Sequence, residues 1–466
     1  MNTAGVWSIN STPFEGRFAG DEESNPTPAF LEGITGLSAY QGRLVILAGS
    51  TVCMSASRIP RRFYRSTVTS LLDSDTIGIS STGVSAAAFR HAVQFNNDLL
   101  LFSERNQALV PGSNVAVNPR TAAVLPSTEY ATDVGMRPLQ VGRGLMFATP
   151  RSTQNFGMME MLPSGSAEHQ YISSDVTQHL PTYLAGTCRF AVSSTVSNLA
   201  IFGSSTDRNS VWVHEYIWAE SEKIQQAWHR WDFPYPIATA YFSEGGMVLV
   251  LRMQTQLVAV TIAPHGNRMN TDLIISPYLD CFSLAAVAAR TLTPQSWVLD
   301  ATTPEERAKM IATVATTGER FPLAYADGVF TAGPDFPDGI AQLGFRFNSA
   351  VTPTPPMRKD SKGVRISTNK MTVQRFSVGT NASGPFAVSI SDSVQGAYSD
   401  DTSPVLYNSP ELSLGSPVIG ADNTVVIPAR TRADSTVLTL STDNASEFNL
   451  VGLEFVAHYH EKLRRA

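Results

Sequence analysis

Apolar and polar positions follow one order that recurs along much of the chain. Between residues 34 and 262 the sequence passes five times through a short mixed strand, a turn and a hairpin of two apolar strands. Intervals of 46 to 55 residues separate the starts of these hairpins, which lie near Arg43, Asp98, Gly144, Asn198 and Gly246. Repeats of this length are typical of propeller blades and related all-β arrays. The pattern therefore predicts a propeller-like array.

One strand of each repeat is almost continuously apolar, as in the runs LLLF, GLMF, LAIF and MVLVL. A strand that packs on both faces carries such a run, whereas a half-exposed strand alternates apolar and polar residues. Stacking neighbouring units would cover both faces and protect blade edges. An ordinary all-β chain, in which Gly, Asn and Ser turns happen to fall at these intervals, is the alternative.

The remaining segments define the domain organisation. Residues 1–33 are rich in Pro, Gly, Asp and Glu. This composition predicts an extended N-terminal arm that lies on a surface outside the arm itself. A β-propeller-like domain of five to six blades is expected over 34–345, with a sixth blade around Trp297 and a hairpin at 321–331. A smaller C-terminal β domain follows over 346–466. Its predicted strands form a β-sandwich-like fold, at 363–378, 385–391, 424–428, 436–441 and 448–459.

One short helix is expected near 304–316 in this mainly β chain. Thr303 is a suitable N-cap and Pro304 fits the first turn. Glu305 and Glu306 lie beside the positive end of the helix dipole.

Composition limits the classes of function. The chain has 466 residues, 43% of them hydrophobic and 16% charged, with a net charge of −6. This length predicts two or three domains. The mild negative charge argues against a protein that binds nucleic acid tightly through its phosphates. It leaves open that DNA passes close to the protein without binding to it.

The cysteines and the N-terminal sequence bear on the compartment. Cys53, Cys188 and Cys281 are far apart, which favours buried apolar residues in a reducing compartment over disulfides or a zinc site. The first residues resemble no secretory signal, and no apolar run is long enough for a membrane span. We therefore expect synthesis in a cytoplasm without export through the Sec route.

No convincing catalytic, cofactor or metal site emerges from the motifs. His458 and His460 share a strand face but have no third ligand nearby in sequence, and Asp73 and Asp75 are better explained as turn caps than as paired acids. A sialidase-like turn motif is echoed once, without its Gly and Thr, by Ser205, Asp207, Asn209 and Trp212. We interpret that segment as a hairpin loop and expect no enzymatic activity.

Two charge runs are candidate interfaces because neither has a catalytic partner. The first is acidic and lies in the arm, and the second is basic and is also compatible with a solvated hairpin. The acidic run contains Asp21, Glu22 and Glu23; the basic strip contains Arg358, Lys359, Lys362, Arg365, Lys370 and Arg375.

Two aromatic clusters follow repeat hairpins, one with Trp228, Trp231 and Phe233 and one with Phe63 and Tyr64. Aromatic side chains of this kind stack on sugars or bases, or pack between blades. We favour packing between blades.

Several short segments carry a resemblance to a known family. They include residues 20–30, 42–44, 52–55, 63–66, 73–77, 99–107, 175–186, 226–231 and 453–465. In this order they resemble the tail tubular protein B, or nozzle, family of short-tailed bacteriophages. No single motif is diagnostic, but the order is collinear over most of 16–262 and again over the last twenty residues. Family members of this kind can be considerably longer before the part that corresponds to residue 16.

The resemblance implies a structural virion protein of the phage tail, assembled in the host cytoplasm. It implies a homo-hexameric tube below an adaptor of the tail tubular protein A type, contacts with tail fibre or spike proteins, and a channel for double-stranded DNA in transit. It implies no cofactor and no small-molecule substrate. A propeller-type glycan-binding or glycan-degrading tail component is the alternative.

Overall fold

The structure is a computed structural model of the chain. It describes residues 13–81, 88–112, 116–165, 168–220, 222–243, 246–254, 256–262, 278–314, 320–359, 361–362, 366, 370–381, 383–384, 386–392, 405–407, 423–443 and 447–460. The chain folds into two compact units, Met1–Leu251 and Arg252–Ala466. The domain bounds expected from the sequence, at 33/34 and 345/346, stay a prediction.

Four sheets of the first unit are antiparallel meanders of four consecutive strands. The first contains β1 (Gly36–Tyr40), β2 (Arg43–Ala48), β3 (Thr51–Met54) and β4 (Ile77–Ser80). The second contains β5 (Phe89–Phe95), β6 (Asp98–Ser103), β7 (Gln107–Val110) and β8 (Leu125–Thr128). The third contains β9 (Leu139–Val141), β10 (Gly144–Pro150), β11 (Phe156–Pro163) and β12 (Tyr171–Asp175). The fourth contains β13 (Cys188–Ser194), β14 (Leu199–Ser204), β15 (Ser210–Ala219) and β16 (Glu222–Asp232).

A fifth sheet has three described strands, β17 (Ile237–Ser243), β18 (Gly246–Met253) and β19 (Gln256–Ile262). Each of the five predicted hairpins is present as a pair of neighbouring strands, namely β2–β3, β6–β7, β10–β11, β14–β15 and β18–β19. The expectation of a mainly β, propeller-like array is confirmed.

The apolar runs are buried because neighbouring sheets pack on opposite faces of the same strand. In β6, Leu99 and Leu101 belong to a core cluster shared with the first sheet. Leu100 and Phe102 belong to another cluster, shared with the third sheet. Successive side chains of a strand point to opposite faces, so burial of both faces requires an unbroken apolar run.

The same arrangement continues between the third and fourth sheets. Met146 and Ala148 of β10 share a cluster with Phe202 of β14 and Trp212 of β15. Sheet-on-sheet stacking therefore accounts for the cores of four consecutive repeats.

The N-terminal arm covers the outer face of the first sheet. A 3₁₀ turn, Ala29–Glu32, places Phe30 against Ile46 and Phe63. The rings of Phe14, Phe30 and Phe63 contact one another edge to face, with centroids 4.7 to 5.5 Å apart. The described part of the expected arm thus packs on its own chain.

A closed six-stranded barrel occupies the region where a sixth blade was expected. Its strands are β20 (Asp280–Ala288), β21 (Thr291–Pro294), β22 (Ile311–Val314), β23 (Arg320–Ala326), β24 (Val329–Ala332) and β25 (Gly339–Phe345). The predicted hairpin at 321–331 is present as β23–β24, but it pairs within this barrel, and Trp297 lies in a helix. The prediction of a sixth blade here was wrong, because β25 returns to pair with both β20 and β22.

Two short helices, α1 (Ser296–Ala301) and α2 (Pro304–Arg307), lie between β21 and β22. The N-terminus of α2 is as predicted, with Thr303 as N-cap and Pro304 in the first turn. The structure adds a reciprocal capping box between Thr303 and Glu306. The predicted extension to residue 316 was wrong, because the chain enters β22 at Ile311.

The C-terminal region forms two sheets that share one core. One sheet has the order β26 (Ser349–Val351), β31 (Thr436–Thr442), β28 (Phe386–Asp392), β29 (Val405–Tyr407). The other has the order β30 (Asn423–Arg432), β27 (Lys370–Thr380), β32 (Leu450–His460). Phe376 and Ile427 of the second sheet pack with Phe386 and Leu440 of the first, which confirms the sandwich-like prediction.

Candidate functional site

The acidic run in the arm is held by bonds within the arm itself. The carboxylate of Asp21 accepts hydrogen bonds from the backbone N–H and hydroxyl of Ser24, at 3.0 and 2.7 Å, and these bonds lower the pKa of Asp21. Glu22 accepts bonds from the backbone N–H and hydroxyl of Thr27 and pairs with Arg17, which together lower the pKa of Glu22 to about 2. Glu23 is exposed. All three remain predicted interface residues.

Side chains also fasten the arm to the segment after β3. Asn25 is buried, and its amide both accepts from the Arg65 N–H at 3.0 Å and donates to the Arg65 carbonyl at 3.2 Å. Arg62 donates to Glu15 at 2.7 Å. The arm therefore presents a fixed surface.

The described residues of the basic strip lie within or beside the sandwich sheet that contains β27 and β32. Arg358, Lys359, Lys362 and Arg375 are exposed. The guanidinium carbon of Arg358 lies 4.2 Å from the ring centroid of Tyr459 in β32. Lys370 is the first residue of β27, and Arg365 and residues 461–466 lie outside the described residues. Most of the strip is therefore available for contact, and its interface role stays a prediction.

A groove of about 640 Å³ lies where β11, the end of β12 and the β15–β16 hairpin meet. Sequence reasoning did not find it, because its residues are far apart in the chain. Its lining includes Glu160, Asp175, His179, Trp218, Glu222 and Lys223.

Two of the acids that line this groove, Glu160 and Asp175, are paired with cations. Lys223 Nζ lies 2.7 and 2.6 Å from the two carboxylate oxygens of Glu160, and 5.2 Å from the centroid of the Trp218 ring. Asp175 pairs with Arg151 and also accepts a bond from Thr177. Because each of these two carboxylates is already paired with a cation, they are poorly suited to act as a general acid and a general base.

Of the aromatic residues expected between blades, Trp228 packs on the core that the third and fourth sheets share, which confirms the prediction for this residue. Trp231 is half-buried beside His229, and Phe63 packs under the N-terminal arm, so for Phe63 the prediction was wrong. Within its own sheet Trp228 also contacts neighbouring rings. Its ring lies 4.6 Å from His214 and 5.4 Å from Phe202, measured between centroids. His214 is fully buried, and burial, reinforced by the nearby Lys223 charge, lowers the pKa of His214 to about 4. Phe63 is buried with Phe30, and Tyr64 lies under Arg17.

The smaller motifs take structural positions. Asp75 is buried and accepts bonds from Ser66 and from the backbone N–H of Leu72, which confirms the turn-cap interpretation for Asp75. Asp207 and Asn209 lie in the β14–β15 loop, and Trp212 is buried in β15, as the hairpin-loop interpretation requires. His458 and His460 lie in β32. Among the residues that the structure describes, no three His, Cys, Asp or Glu side chains cluster as metal ligands do.

Cys53 and Cys188 are buried and free, and burial raises the pKa of both thiols. This agrees with the prediction that they serve as buried apolar residues. In the described part of the chain, no helix combines the length and apolar character needed to cross a membrane.

Comparison with solved structures returns matches at low similarity, one of them to a β-propeller domain. The chain matches Kluyveromyces lactis Hsv2 at 10% identity and a TM-score of 0.25, covering 66% of this chain and 98% of that one. It matches the β-propeller domain of Myceliophteria thermophila Cps50 (Swd1) at 14% identity and a TM-score of 0.29, covering 49% and 73%. An ancestral GH74 enzyme matches at 11% identity and a TM-score of 0.32, covering 84% and 51%. Scores this low carry no functional argument.

Sequence comparison is more specific. The chain is 26% identical over 220 residues to the tail tubular protein gp12 of Escherichia phage T7, which covers 46% of this chain and 27% of that relative. The family model for the bacteriophage nozzle protein matches residues 1–466, the whole chain. The chain therefore belongs to the bacteriophage nozzle protein family and is a structural protein of the phage tail.

Proposed function

We propose that six copies of this chain assemble into the tail nozzle, a tube below the portal adaptor through which genomic double-stranded DNA leaves the particle. The observation that carries this proposal is the family match over residues 1–466. In the proposed assembly the chain also contacts an adaptor of the tail tubular protein A type and attaches tail fibres or spikes. It is assembled in the host cytoplasm and acts without enzymatic activity.

The stacked sheets are consistent with a wall-forming role. Their shared cores bury the apolar strands within each copy, which leaves turns and outer strands to make contacts between copies. A ring of identical copies needs a head-to-tail interface whose rotation closes.

The charge of the chain also fits a conduit. Each copy carries a net charge of −6, and a ring repeats this charge around its axis. A lumen lined by carboxylates repels phosphates and lets a duplex slide, whereas a basic lumen would hold it.

Electron microscopy and mass measurement of the purified chain test this proposal. We expect a six-fold ring with an axial hole, and in whole particles a position on the tail axis. A chain that stays monomeric in assembled particles, or one located off the axis, would contradict the proposal.

Glycan binding or degradation is the second candidate, favoured by the groove that combines Trp218 with several carboxylates. The pairing of Glu160 with Lys223 and of Asp175 with Arg151 weighs against hydrolysis. A glycan-hydrolysis assay and a glycan-binding assay on the purified chain separate the two candidates, since the nozzle proposal expects neither activity.

A further inference from the structure

Among the residues that the structure describes, the C-terminal sandwich exposes a long apolar edge strand. β32 runs for eleven residues, and all seven positions from Leu450 to Val456 are exposed. Glu454 is its one Asp, Glu, Lys or Arg residue. Natural proteins normally protect such an edge with charge, proline or a covering segment, because an open apolar edge accepts strands from other chains.

Part of the inner face of β32 extends beyond the sandwich core. Leu453 pairs with Val378 and Phe455 pairs with Phe376, so each shares a face with a residue that is at most 1% exposed. Yet Leu453 is 38% and Phe455 42% exposed. On β27 the apolar residues of this face are covered by the sandwich core. On β32, the next strand of the same sheet, the apolar residues of the same face are open to solvent.

The opposite edge of the same sheet is protected. β30 contains Pro428, which lacks an N–H, and Arg430, whose φ is +53°. From Thr424 to Arg430, exposed residues alternate with buried or half-buried ones, as in an edge strand that packs one face on a sandwich core. The two edges therefore differ, and β32 is the one that is open to pairing with another chain.

The first unit supplies an edge strand of matching length. β16 also has eleven residues, ends its sheet in the described structure, and is exposed along most of its length. Unlike β32 it is mostly polar, with an exposed Ile224 (61%), Ala227 and its aromatic residues as exceptions. A polar edge strand does not promote aggregation of the free chain. Its backbone still offers hydrogen bonds to an added strand.

We infer that β32 of one copy adds to the β16 edge of a second copy, forming a continuous sheet between neighbours. The inference rests on the proposed assembly of identical copies. Pairing of β32 with β16 is head-to-tail and can repeat around a ring, whereas pairing of β32 with β32 is two-fold and stops at a dimer. Leu453 and Phe455 are then covered by the neighbouring copy.

Charged substitutions in the two strands test the inference in the full-length chain. Val451→Lys/Val456→Lys in β32 and Ile224→Lys in β16 change exposed positions, so each copy is expected to fold, which near-UV circular dichroism checks. Each variant should raise the concentration for half-assembly at least about tenfold, because lysine on a strand edge disfavours pairing. Val196→Lys, at a position 93% exposed in the β13–β14 turn, is the matched control and should assemble as the wild type does.

Hydrogen exchange on the unmodified chain gives an independent measurement. Assembly should slow exchange of backbone amides in both β32 and β16. If the wild type forms rings and the β32 variant assembles normally, the strand pairing is wrong but the nozzle proposal is unaffected. Loss of assembly in the β32 variant alone, with Ile224→Lys unaffected, would overturn β16 as the receiving strand. A wild-type chain that never assembles would defeat both.

Discussion

Lys223 and Glu160 form a buried ion pair that joins the third and fourth sheets. The ammonium lies 2.6 and 2.7 Å from the carboxylate oxygens, and the side chains are only 12% and 4% exposed. We expect Glu160→Gln to lower the free energy of unfolding by about 3 kcal/mol, because it leaves a buried ammonium without its counter-charge. Urea denaturation of the variant measures this loss.

The matched control is an exposed pair, Arg432 with Asp434, whose side chains are 41% and 50% exposed. Asp434→Asn should cost less than about 1 kcal/mol. Equal losses for the two variants would show that burial does not determine the cost of breaking the pair.

His214 should make stability depend on pH. Burial is the main cause that lowers its pKa from 6.5 to about 4, so the unfolded chain takes up a proton more readily than the folded one. Stability is then unaffected by this residue above about pH 6.5 and falls as pH drops from there towards 4, by up to about 3 kcal/mol.

Unfolding measured between pH 4 and pH 8 for the wild type and His214→Gln isolates this contribution. The variant should lose part of the decline at low pH. His179→Gln, at an exposed position just after β12, is the control and should retain the wild-type profile. Superimposable profiles for wild type and His214→Gln would contradict the expectation.

Gly112 sits where the first two sheets meet and has no room for a side chain. A Cβ there would lie 1.8 Å from the Asn97 carbonyl oxygen and 2.7 Å from the Tyr40 hydroxyl. Tyr40 donates to that same carbonyl at 2.5 Å, so the neighbours are fixed. We expect Gly112→Ala to cost about 2 kcal/mol or more, as overpacking does in a filled core.

Thermal melting compares Gly112→Ala with Gly78→Ala. A Cβ at Gly78, in the exposed part of β4, would meet no atom within 4 Å. That control should melt at or above the wild-type temperature, since alanine restricts the unfolded chain more than glycine does. A normal melting temperature for Gly112→Ala would contradict this close packing.

Charge reversal in the basic strip should weaken contacts with neighbouring copies or with the adaptor. Arg358→Glu/Arg375→Glu changes two exposed residues of the strip, so we expect a folded chain with reduced assembly or adaptor binding, more so at low salt. Size-exclusion chromatography with and without purified adaptor measures both. Arg105→Glu, which changes an exposed arginine in the β6–β7 turn, is the control. Unchanged assembly and unchanged adaptor binding in the strip variant would show that the strip is not part of the interface.

Much of the fold follows from local sequence patterns. The runs around Leu100 and Phe147 predicted strands buried on both faces, and each run does separate two stacked sheets. Thr303 and Pro304 predicted the start of α2, because an N-cap residue and a first-turn proline are signals confined to adjacent positions. The C-terminal strands were also predictable, since their apolar positions alternate with the period of a strand.

Long-range pairing was not predictable in the same way. The hairpin at 321–331 has the same local pattern in a blade and in a barrel, and only the return of β25 to β20 closes the barrel. Glu160 and Lys223 are 63 residues apart, so no spacing rule joins them. The exposed residues of β32 look like ordinary core positions in sequence, because their periodicity does not reveal how far the facing sheet extends.

The sequence by itself determined which segments form strands, where the hairpins turn, and that five units repeat in one order. These properties depend on side-chain alternation, turn residues and capping groups within a few positions of one another. Only the tertiary structure decided which sheets stack, which charges meet, and which strand edges stay open, because these depend on contacts between residues tens of positions apart.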